Sequence, residues 1–338
     1  MKQHTIRVAV VGATGYGGSE LIRLLGAHPC AKVTTVTSAR RAGSTLRDEC
    51  PWLSSDLLLS EFSSESVEAD FTFLCQETGF AMEVAADLLK RSKVIDLSAD
   101  FRLHDLDVYE QYYGRKHSNP SLGTKPVYGL PELVDRRQIE AAKLVANPGC
   151  FPTASLLALQ PLVSAGLVFG VPIIDAKSGV SGAGRSRTET SYMFSELDGG
   201  VKAYGTVGHR HTPEIEQLSG LRVRFTPHLI PIARGIHVTA HIPLKSAQTT
   251  QRIKEIYQDF YLDEPFVITQ DTPPSTKQVL GSNRCAISVS VDERLGYAVV
   301  CSVIDNLVKG MAGQAIQNMN LMAGIPEETG LPMDGVWP

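Results

Sequence analysis

The stretch Ile6-Arg-Val-Ala-Val-Val-Gly12-Ala-Thr-Gly15-Tyr-Gly-Gly18 decides the fold of this chain of 338 residues. Its first six residues are apolar apart from Arg7, which predicts a buried strand. The glycine-rich segment after it predicts a tight turn, and the apolar periodicity from about Ser19 to Leu25 predicts a helix. A strand that passes through such a turn directly into a helix is typical of a doubly wound, parallel α/β sheet.

The rest of the first half repeats this alternation. The pattern predicts a helix over 80–91 and strands over 32–37, 70–75, 93–97 and 144–146. Short apolar strands that alternate with helices indicate a mostly parallel sheet. Residues 100–131 contain several aromatic side chains and predict a long irregular stretch that covers a site.

The second half has a different pattern. Alternating apolar residues predict strands over 171–176, 222–226, 235–242, 285–291 and 297–303. This predicts an α+β domain with a largely antiparallel sheet. We expect residues 1–149 to form the first domain, joined by a C-terminal helix over 306–338, and residues 150–305 to form the second.

The glycine-rich turn has the context of a dinucleotide phosphate loop, because it follows a strand and opens a helix. Its spacing is GxxGxxG, and a plain tight turn is the alternative explanation. The residues expected to hold the cofactor here are Gly12, Thr14, Gly15, Tyr16 and Gly17.

The residues after the second strand bear on which nicotinamide cofactor binds. An Asp or Glu at this point usually holds a ribose 2′-hydroxyl. Here Ser38, Arg40 and Arg41 supply hydroxyl and guanidinium donors, which suit a 2′-phosphate. We therefore expect NADP(H), although two solvated surface arginines would show the same pattern.

Cys150 lies in Asn147-Pro-Gly-Cys-Phe-Pro-Thr153, immediately before a segment that predicts a helix with proline in its first turn. The partial positive charge of a helix N-terminus stabilises a thiolate. We expect Cys150 to be a nucleophile, whereas an ordinary cysteine is a small buried apolar residue.

The segment Gly208-His-Arg-His-Thr-Pro-Glu214 offers a base for that thiol. The pKa of an imidazole lies near the operating pH, so His209 or His211 can take up the thiol proton and return it. The two histidines could instead ligate a metal, but no third ligand accompanies them and we expect no metal.

Two further segments carry polar groups at the ends of predicted strands. Lys177–Arg187 is rich in glycine, serine and arginine, which suits a phosphoryl or carboxylate group, and a flexible loop is the alternative. Ser98 and Arg102 follow another strand and are candidates for the same lining.

Composition limits the possible partners and compartment. Net charge is −4, with 32 Lys and Arg against 36 Asp and Glu, so nothing favours nucleic acid or an anionic membrane. No apolar run has the length of a membrane span and the N-terminus lacks a signal-peptide pattern. The six cysteines are scattered, which fits free thiols in a reducing cytoplasm.

Together the thiol, the imidazole and the nicotinamide loop define a reaction class. A thiolate that attacks an activated acyl group forms a thioester, and hydride reduction of that thioester releases an aldehyde. The backbone N–H of Cys150 is the expected donor to the oxyanion.

The chain resembles the N-acetyl-gamma-glutamyl-phosphate reductase family over nearly its whole length. The resemblance rests on the glycine turn, on the motif around Cys150 and on His209-Arg-His-Thr-Pro-Glu-Ile215. It also rests on segments 96–102, 128–131, 178–185 and 305–310. Phe151 departs from the family pattern, since tyrosine is common there. Cys75–Gly79 departs too, which leaves the cofactor contacts of that loop in doubt.

The resemblance implies NADPH-dependent reduction of N-acetyl-gamma-glutamyl phosphate in arginine biosynthesis, with Cys150 as nucleophile and His209 as acid/base. It implies a homodimer or homotetramer joined through the second sheet. Further cofactor contacts are expected from Ser178, Gly179 and Asn306. The residues expected to bind substrate are Ser98, Arg102, Asn147, Ser181, Arg185, His211 and Glu214.

Two alternatives stay open at this point. A carrier-linked aminoadipyl-phosphate reductase of the same fold shares the cysteine pattern. A non-catalytic NADP-binding sensor would be expected to lack the nucleophile or the base, and both residue types are present in this chain.

Overall fold

A computed structural model describes residues 5–337, which divide into two compact units. The first unit contains the chain through Pro148 together with Met311–Leu331. The second contains Gly149–Gly310 and the residues from Pro332 onward. The main division therefore falls between Pro148 and Gly149, directly before the proposed nucleophile.

The first unit is built on a six-stranded sheet in which every pairing is parallel, with the order β2-β1-β3-β4-β6-β5. The order reverses direction beside β1, as in a doubly wound fold. The strands are β1 Ile6–Val11, β2 Ala31–Thr37, β3 Phe71–Leu74, β4 Lys93–Asp96, β5 Val127–Tyr128 and β6 Leu144–Ala146.

Six helices alternate with these strands, and the core lies where they cover the sheet. They are α1 Tyr16–Leu25, α2 Leu46–Glu49, α3 Ala81–Leu88, α4 Leu106–Tyr113, α5 Pro120–Gly123 and α6 Arg136–Ala141. Buried side chains of β1, β3 and β4 pack with those of α3 and with Phe101 and Tyr109. This is the alternation that the first half of the sequence predicts.

Residues 100–131 are more regular than predicted. Helix α4 begins after Asp105, whose carboxylate accepts hydrogen bonds from the N–H groups of Asp107 and Val108. It ends at Gly114 in the left-handed conformation, with φ 67°. The expectation of a wholly irregular stretch was wrong because both caps define a real helix.

The second unit is built on a seven-stranded mixed sheet in the order β11-β12-β13-β10-β7-β9-β8. Only β11–β12 and β7–β9 pair in parallel, so the sheet is largely antiparallel. The strands are β7 Ile173–Ser178, β8 Lys202–Ala203, β9 Arg224–Leu229, β10 Ile236–Pro243, β11 Val267–Thr269, β12 Cys285–Asp292 and β13 Tyr297–Ile304.

The helices of this unit are α7 Cys150–Ser164, α8 Phe194–Leu197, α9 Thr212–Ser219 and α10 Thr250–Phe260. Short 3-10 turns lie at Val180–Ala183, Thr190–Tyr192 and Thr276–Val279. Helix α7 packs against β10 and β13. Along β10 the buried residues alternate with half-buried ones, so one face of the sheet is covered and the other is not. The α/β class with a doubly wound first sheet and a largely antiparallel second sheet is confirmed.

The C-terminal segment differs from the predicted helix over 306–338. A π-helical turn spans Val308–Ala312, and helix α11 spans only Gly313–Met322. Left-handed Gly324 and Gly330, with φ 71° and 70°, interrupt the backbone beyond it. Helix α11 packs against α1, α6 and β4 within the first unit. No helix among residues 5–337 is both long and apolar enough to cross a membrane.

Candidate active site

Two glycines of the turn after β1 have no room for a side chain, because neighbouring backbone lies too close. Gly12 has φ 91°, and a Cβ there would lie 2.6 Å from the carbonyl oxygen of Cys75. A Cβ on Gly18 would lie 2.3 Å from the carbonyl oxygen of Gly12. Backbone so close tolerates no side chain, so these two residues close the turn between β1 and α1.

Gly15 differs from them, because a Cβ there would meet only the carbonyl oxygen of Gly12, at 3.6 Å. Gly15 is also the N-cap of α1, and no side chain caps that helix. Gly17 instead packs against the side chain of Met311, which a Cβ would approach to 2.2 Å. The uncapped N–H groups beside Gly15 therefore form a turn that fits a dinucleotide phosphate.

The turn is anchored to the end of β2. The N–H groups of Gly12 and Ala13 donate to the carbonyl oxygen of Thr37, and the hydroxyls of Thr14 and Ser38 lie 3.1 Å apart. This arrangement brings together the turn and the strand end expected to hold the ribose.

The two arginines after β2 differ in their surroundings. Arg40 and Arg41 are both exposed. The Arg41 guanidinium pairs with the Glu49 carboxylate, Nε to Oε2, at 3.2 Å. Arg40 is therefore the better placed of the two to meet a 2′-phosphate.

A buried acidic turn follows β4. Asp96 accepts hydrogen bonds from the N–H and hydroxyl of Ser98, both at 2.9 Å. Burial, then the charge of Asp100, raises the pKa of Asp96 to about 7. Asp100 accepts from the N–H groups of Gly79 and Met82 and from the hydroxyl of Tyr109. The Ser98 hydroxyl, which the sequence predicts to bind substrate, therefore donates a hydrogen bond within this turn.

Arg102 and Asn147 hold the end of β6. The buried Arg102 guanidinium donates from Nε to the carbonyl oxygen of Asn147 at 2.8 Å and from Nη2 to that of Leu97 at 2.9 Å. The Asn147 side chain donates to the carbonyl oxygen of Met311 and accepts from Asn318. Both residues are predicted to bind substrate, and in this structure the side chain of each donates hydrogen bonds to backbone carbonyl oxygens.

Cys150 is the first residue of α7, one turn earlier than the sequence predicts. Gly149 is the N-cap, with extended backbone, and its carbonyl oxygen accepts from the N–H and hydroxyl of Thr153. The Gly149 N–H donates to Oε1 of Glu214 at 2.7 Å. A Cβ on Gly310 would lie 2.8 Å from the Cβ of Cys150, so glycine is needed beside the thiol.

His209 lies in an aromatic cluster beside the start of α7. Its ring centroid is 6.0 Å from that of Phe151, 5.0 Å from that of His211 and 5.3 Å from that of Phe225. Its Nδ1 accepts the N–H of His211 at 3.1 Å. Burial, then the charge of Arg210, lowers the pKa of His209 to about 4, so the ring is neutral at ordinary pH.

Tyr204 belongs to this cluster and was not predicted. Its ring centroid lies 5.6 Å from that of His209. Burial, then the charge of Cys150, raises the pKa of its hydroxyl. A lone tyrosine in a glycine-rich segment carries no sequence pattern that would have identified it.

The predicted polar loop after β7 forms a second cluster. Asn306 links two segments, because its Oδ1 accepts the N–H of Gly235 at 2.7 Å and its Nδ2 donates to the hydroxyl of Ser181 at 3.0 Å. Ser178 donates to the carbonyl oxygen of Gly179. A Cβ on Gly179 would lie 2.8 Å from the carbonyl oxygen of Ile232, while Arg185 is exposed.

In the second unit the rings of His209 and His211 lie against Phe151, and Glu214 binds Gly149, so these side chains contact the two neighbours of Cys150 at the first turn of α7. Among residues 5–337, no group of three or more His, Cys, Asp or Glu side chains is arranged to hold a metal ion. A thiol at a helix start beside a neutral imidazole is suited to covalent acyl chemistry.

Known families match both halves of the chain. Residues 7–142 match the semialdehyde dehydrogenase NAD binding domain, and residues 150–306 match the semialdehyde dehydrogenase dimerisation domain. Two solved structures share the fold. Aspartate semialdehyde dehydrogenase II from Vibrio cholerae has a TM-score of 0.72 at 16% identity, and the alignment covers 95% of this chain and 99% of that one. The enzyme from Candida albicans with NADP has a TM-score of 0.70 at 15% identity, with 94% and 98% covered. Fold and site together define an oxidoreductase of the semialdehyde dehydrogenase class.

Curated relatives narrow the class. The N-acetyl-gamma-glutamyl-phosphate reductase of Symbiobacterium thermophilum is 50% identical, with 97% of each chain covered. That of Thermus thermophilus is 43% identical over 98% of this chain and 100% of its own. The chain belongs to the N-acetyl-gamma-glutamyl-phosphate reductase family, and the resemblance found in its motifs is confirmed.

Proposed function

We propose that this chain catalyses the NADPH-dependent reduction of N-acetyl-gamma-glutamyl phosphate to N-acetyl-glutamate 5-semialdehyde, with release of phosphate, in arginine biosynthesis. The observation that carries the proposal is the position of Cys150 at the first turn of α7, beside the cluster that holds His209. The names of the curated relatives support the substrate.

Cys150 is the proposed nucleophile. Its thiolate attacks the acyl carbon, the bond from that carbon to the phosphate oxygen breaks, and phosphate leaves with the electron pair. The N-terminus of the fifteen-residue helix α7 favours the thiolate electrostatically. When the thiohemiacetal collapses, the carbon–sulfur bond breaks, the aldehyde leaves and the thiolate is restored.

His209 is the proposed acid/base group. The ring is neutral at ordinary pH, and it takes up the thiol proton after a change of tautomer that frees a lone pair on Nε2 and breaks the bond from the His211 N–H. His211 donates its backbone N–H to Nδ1, so the neutral ring carries its own proton on Nε2. That Nε2–H is suited to donate to the oxygen on which negative charge develops.

The first unit is the proposed NADP(H) domain, with the C-terminal segment as part of it. NADPH supplies the hydride that reduces the thioester. The turn from Gly12 to Gly17 with Thr14, Gly15 and Tyr16 is proposed to hold the pyrophosphate, and the segment after β2 the ribose 2′-phosphate. The proposed contacts after β2 are Ser38, Arg40 and Arg41, and those of the second unit are Ser178, Gly179 and Asn306.

Substrate recognition is proposed for the polar groups around these segments. Arg185 is exposed and carries a guanidinium suited to a carboxylate or phosphate. Ser181 belongs to the same loop, and His211 belongs to the aromatic cluster around His209. Ser98, Arg102 and Asn147 shape the end of the parallel sheet through the contacts described above.

We also propose a homodimer or homotetramer, formed by the second unit, in the cytoplasm. The match to a dimerisation domain supports assembly. The less covered face of the seven-stranded sheet, which includes His237, Thr239 and His241, is the proposed contact surface.

A substrate panel tests the proposed function. Purified protein is given NADP+, phosphate and one of three aldehydes: N-acetyl-glutamate 5-semialdehyde, its aspartate analogue or its aminoadipate analogue. We expect phosphate-dependent NADPH formation with the glutamate compound and at least about tenfold lower kcat/KM with the other two, since each differs by one methylene. A preference for the aminoadipate compound would assign the carrier-linked alternative.

A further inference from the structure

We propose that Glu214 positions the nucleophile by holding the backbone N–H of Gly149, and that it does not contact substrate. This role rests on the proposed nucleophilic function of Cys150. It differs from the substrate contact that the sequence predicts for Glu214.

The geometry places Glu214 at the entry to the nucleophile helix. Its side chain is fully buried, and Oε1 accepts the Gly149 N–H at 2.7 Å. Gly149 is the N-cap of α7, and Cys150 follows it. A short hydrogen bond to a carboxylate is among the stronger ones in proteins, so it fixes the plane of the peptide between Pro148 and Gly149, one residue before Cys150.

The start of helix α9 explains why this carboxylate reaches α7. His211 is the N-cap of α9, and Glu214 is its third residue. A glutamate at this position usually accepts the N–H of its own N-cap. Here the His211 N–H donates to Nδ1 of His209 instead. The histidine ring thus takes the capping position, and the carboxylate crosses to the N-cap of α7.

Burial argues against a substrate contact. Glu214 and Ile215 are both fully buried, and Pro213 is buried as well. A carboxylate that recognises a small substrate must be reachable from solvent before the substrate binds. The two hydrogen bonds also link the proposed base to the proposed nucleophile. His209 accepts the N–H of His211 at the start of α9, and Glu214 of α9 accepts the N–H of Gly149, the residue before Cys150.

The test compares Glu214→Gln with Glu214→Asp, and Glu216→Gln on the same helix serves as the control. Glutamine keeps an oxygen acceptor at the same reach, whereas aspartate is one methylene too short. The first readout is the rate of Cys150 alkylation by iodoacetamide as a function of pH, without substrate or cofactor. The second is kcat and KM for the acyl phosphate.

A displaced nucleophile costs about 10- to 100-fold in rate, so Glu214→Asp should lower kcat by that factor with KM nearly unchanged. Its alkylation profile should change as well, while Glu214→Gln and Glu216→Gln stay close to the parent protein. A rise in KM in both Glu214 variants with an unchanged alkylation profile would overturn the proposal and assign a substrate contact.

If Glu214→Asp does not fold, Glu214→Gln decides alone. Near-parental KM and alkylation support positioning, and a KM raised about tenfold, the scale of a lost charged contact, overturns it. The alkylation measurement needs no substrate, so it separates failure of this proposal from failure of the proposed function. If the parent protein does not reduce the acyl phosphate, the alkylation rates of the variants can still be compared with that of the parent.

Discussion

The backbone N–H of His211 donates a hydrogen bond to Nδ1 of His209 at 3.1 Å. A backbone N–H is only a donor, so Nδ1 must present its lone pair and the neutral ring carries its proton on Nε2. The same bond satisfies the N–H of the N-cap residue of helix α9. The side chain proposed as acid/base is therefore held in one tautomer by the element that also carries Glu214.

We expect His209 to titrate at about 4, because burial and Arg210 disfavour the imidazolium. Nuclear magnetic resonance of the histidine rings, assigned with His209→Gln, measures this pKa. Since the pKa of the folded protein lies below the ordinary 6.5, the unfolded chain binds the proton first. The contribution of His209 to stability is present above pH 6.5 and is lost as the pH falls toward 4. Titration near 6.5 in the folded protein would contradict this picture.

Gly15→Ala and Gly18→Ala form a matched pair in the phosphate turn. Alanine at 15 has room, with its nearest neighbour at 3.6 Å, so thermal stability should change little. The added methyl group would lie where a phosphate approaches the turn, and we expect NADPH affinity to fall at least about tenfold. Affinity measured by fluorescence titration and Tm measured by calorimetry separate the two effects.

Alanine at 18 meets the Gly12 carbonyl oxygen at 2.3 Å, so it should lower the free energy of unfolding by about 1–3 kcal/mol. The opposite pattern would show that the phosphate lies elsewhere. In that pattern Gly15→Ala keeps its NADPH affinity, while Gly18→Ala remains fully stable and loses about tenfold in NADPH affinity.

Arg40→Ala should reduce the preference for NADPH over NADH more than Arg41→Ala does. Arg41 already pairs with Glu49, whereas Arg40 is exposed beside the end of β2. Loss of one contact from a guanidinium to phosphate costs about 1.5–3 kcal/mol, roughly 10- to 150-fold in the ratio of dissociation constants. Binding titrations with both cofactors measure that ratio. An unchanged ratio in Arg40→Ala would remove this residue from the cofactor site.

Much of the fold could be predicted because local pattern and tertiary structure agree. Strands β1 and β6 have the predicted bounds, since short apolar runs between turn residues identify buried parallel strands. The motif around Cys150 identified the nucleophile turn, although α7 begins at Cys150 itself because Gly149, not a later residue, is its N-cap.

Other elements were missed for two different reasons. Helices α4 and α10 were not predicted, although their N-cap residues, Asp105 and Thr249, are of the types that favour a helix start. Strand β8, at Lys202–Ala203, has only two residues and exists because it pairs with β9. No local pattern defines such a strand.

The detailed roles of site residues depend on long-range contacts that sequence does not display. Arg102 contacts the backbone of Asn147, forty-five positions away. Glu214 reaches Gly149 across sixty-five positions. Residue type suggested that both bind an anion or a substrate, but each of them donates to or accepts from backbone in the structure.

The most direct test of the account is Cys150→Ser, with Cys30→Ser as the control thiol. The measurement is phosphate-dependent reduction of NADP+ by N-acetyl-glutamate 5-semialdehyde, together with NADPH affinity. We predict that Cys150→Ser lowers turnover by at least about 10³-fold, because a serine hydroxyl is a weak nucleophile at its free pKa. Its NADPH affinity should stay unchanged, and Cys30→Ser should remain active. Parental turnover in Cys150→Ser would contradict a covalent mechanism through this residue.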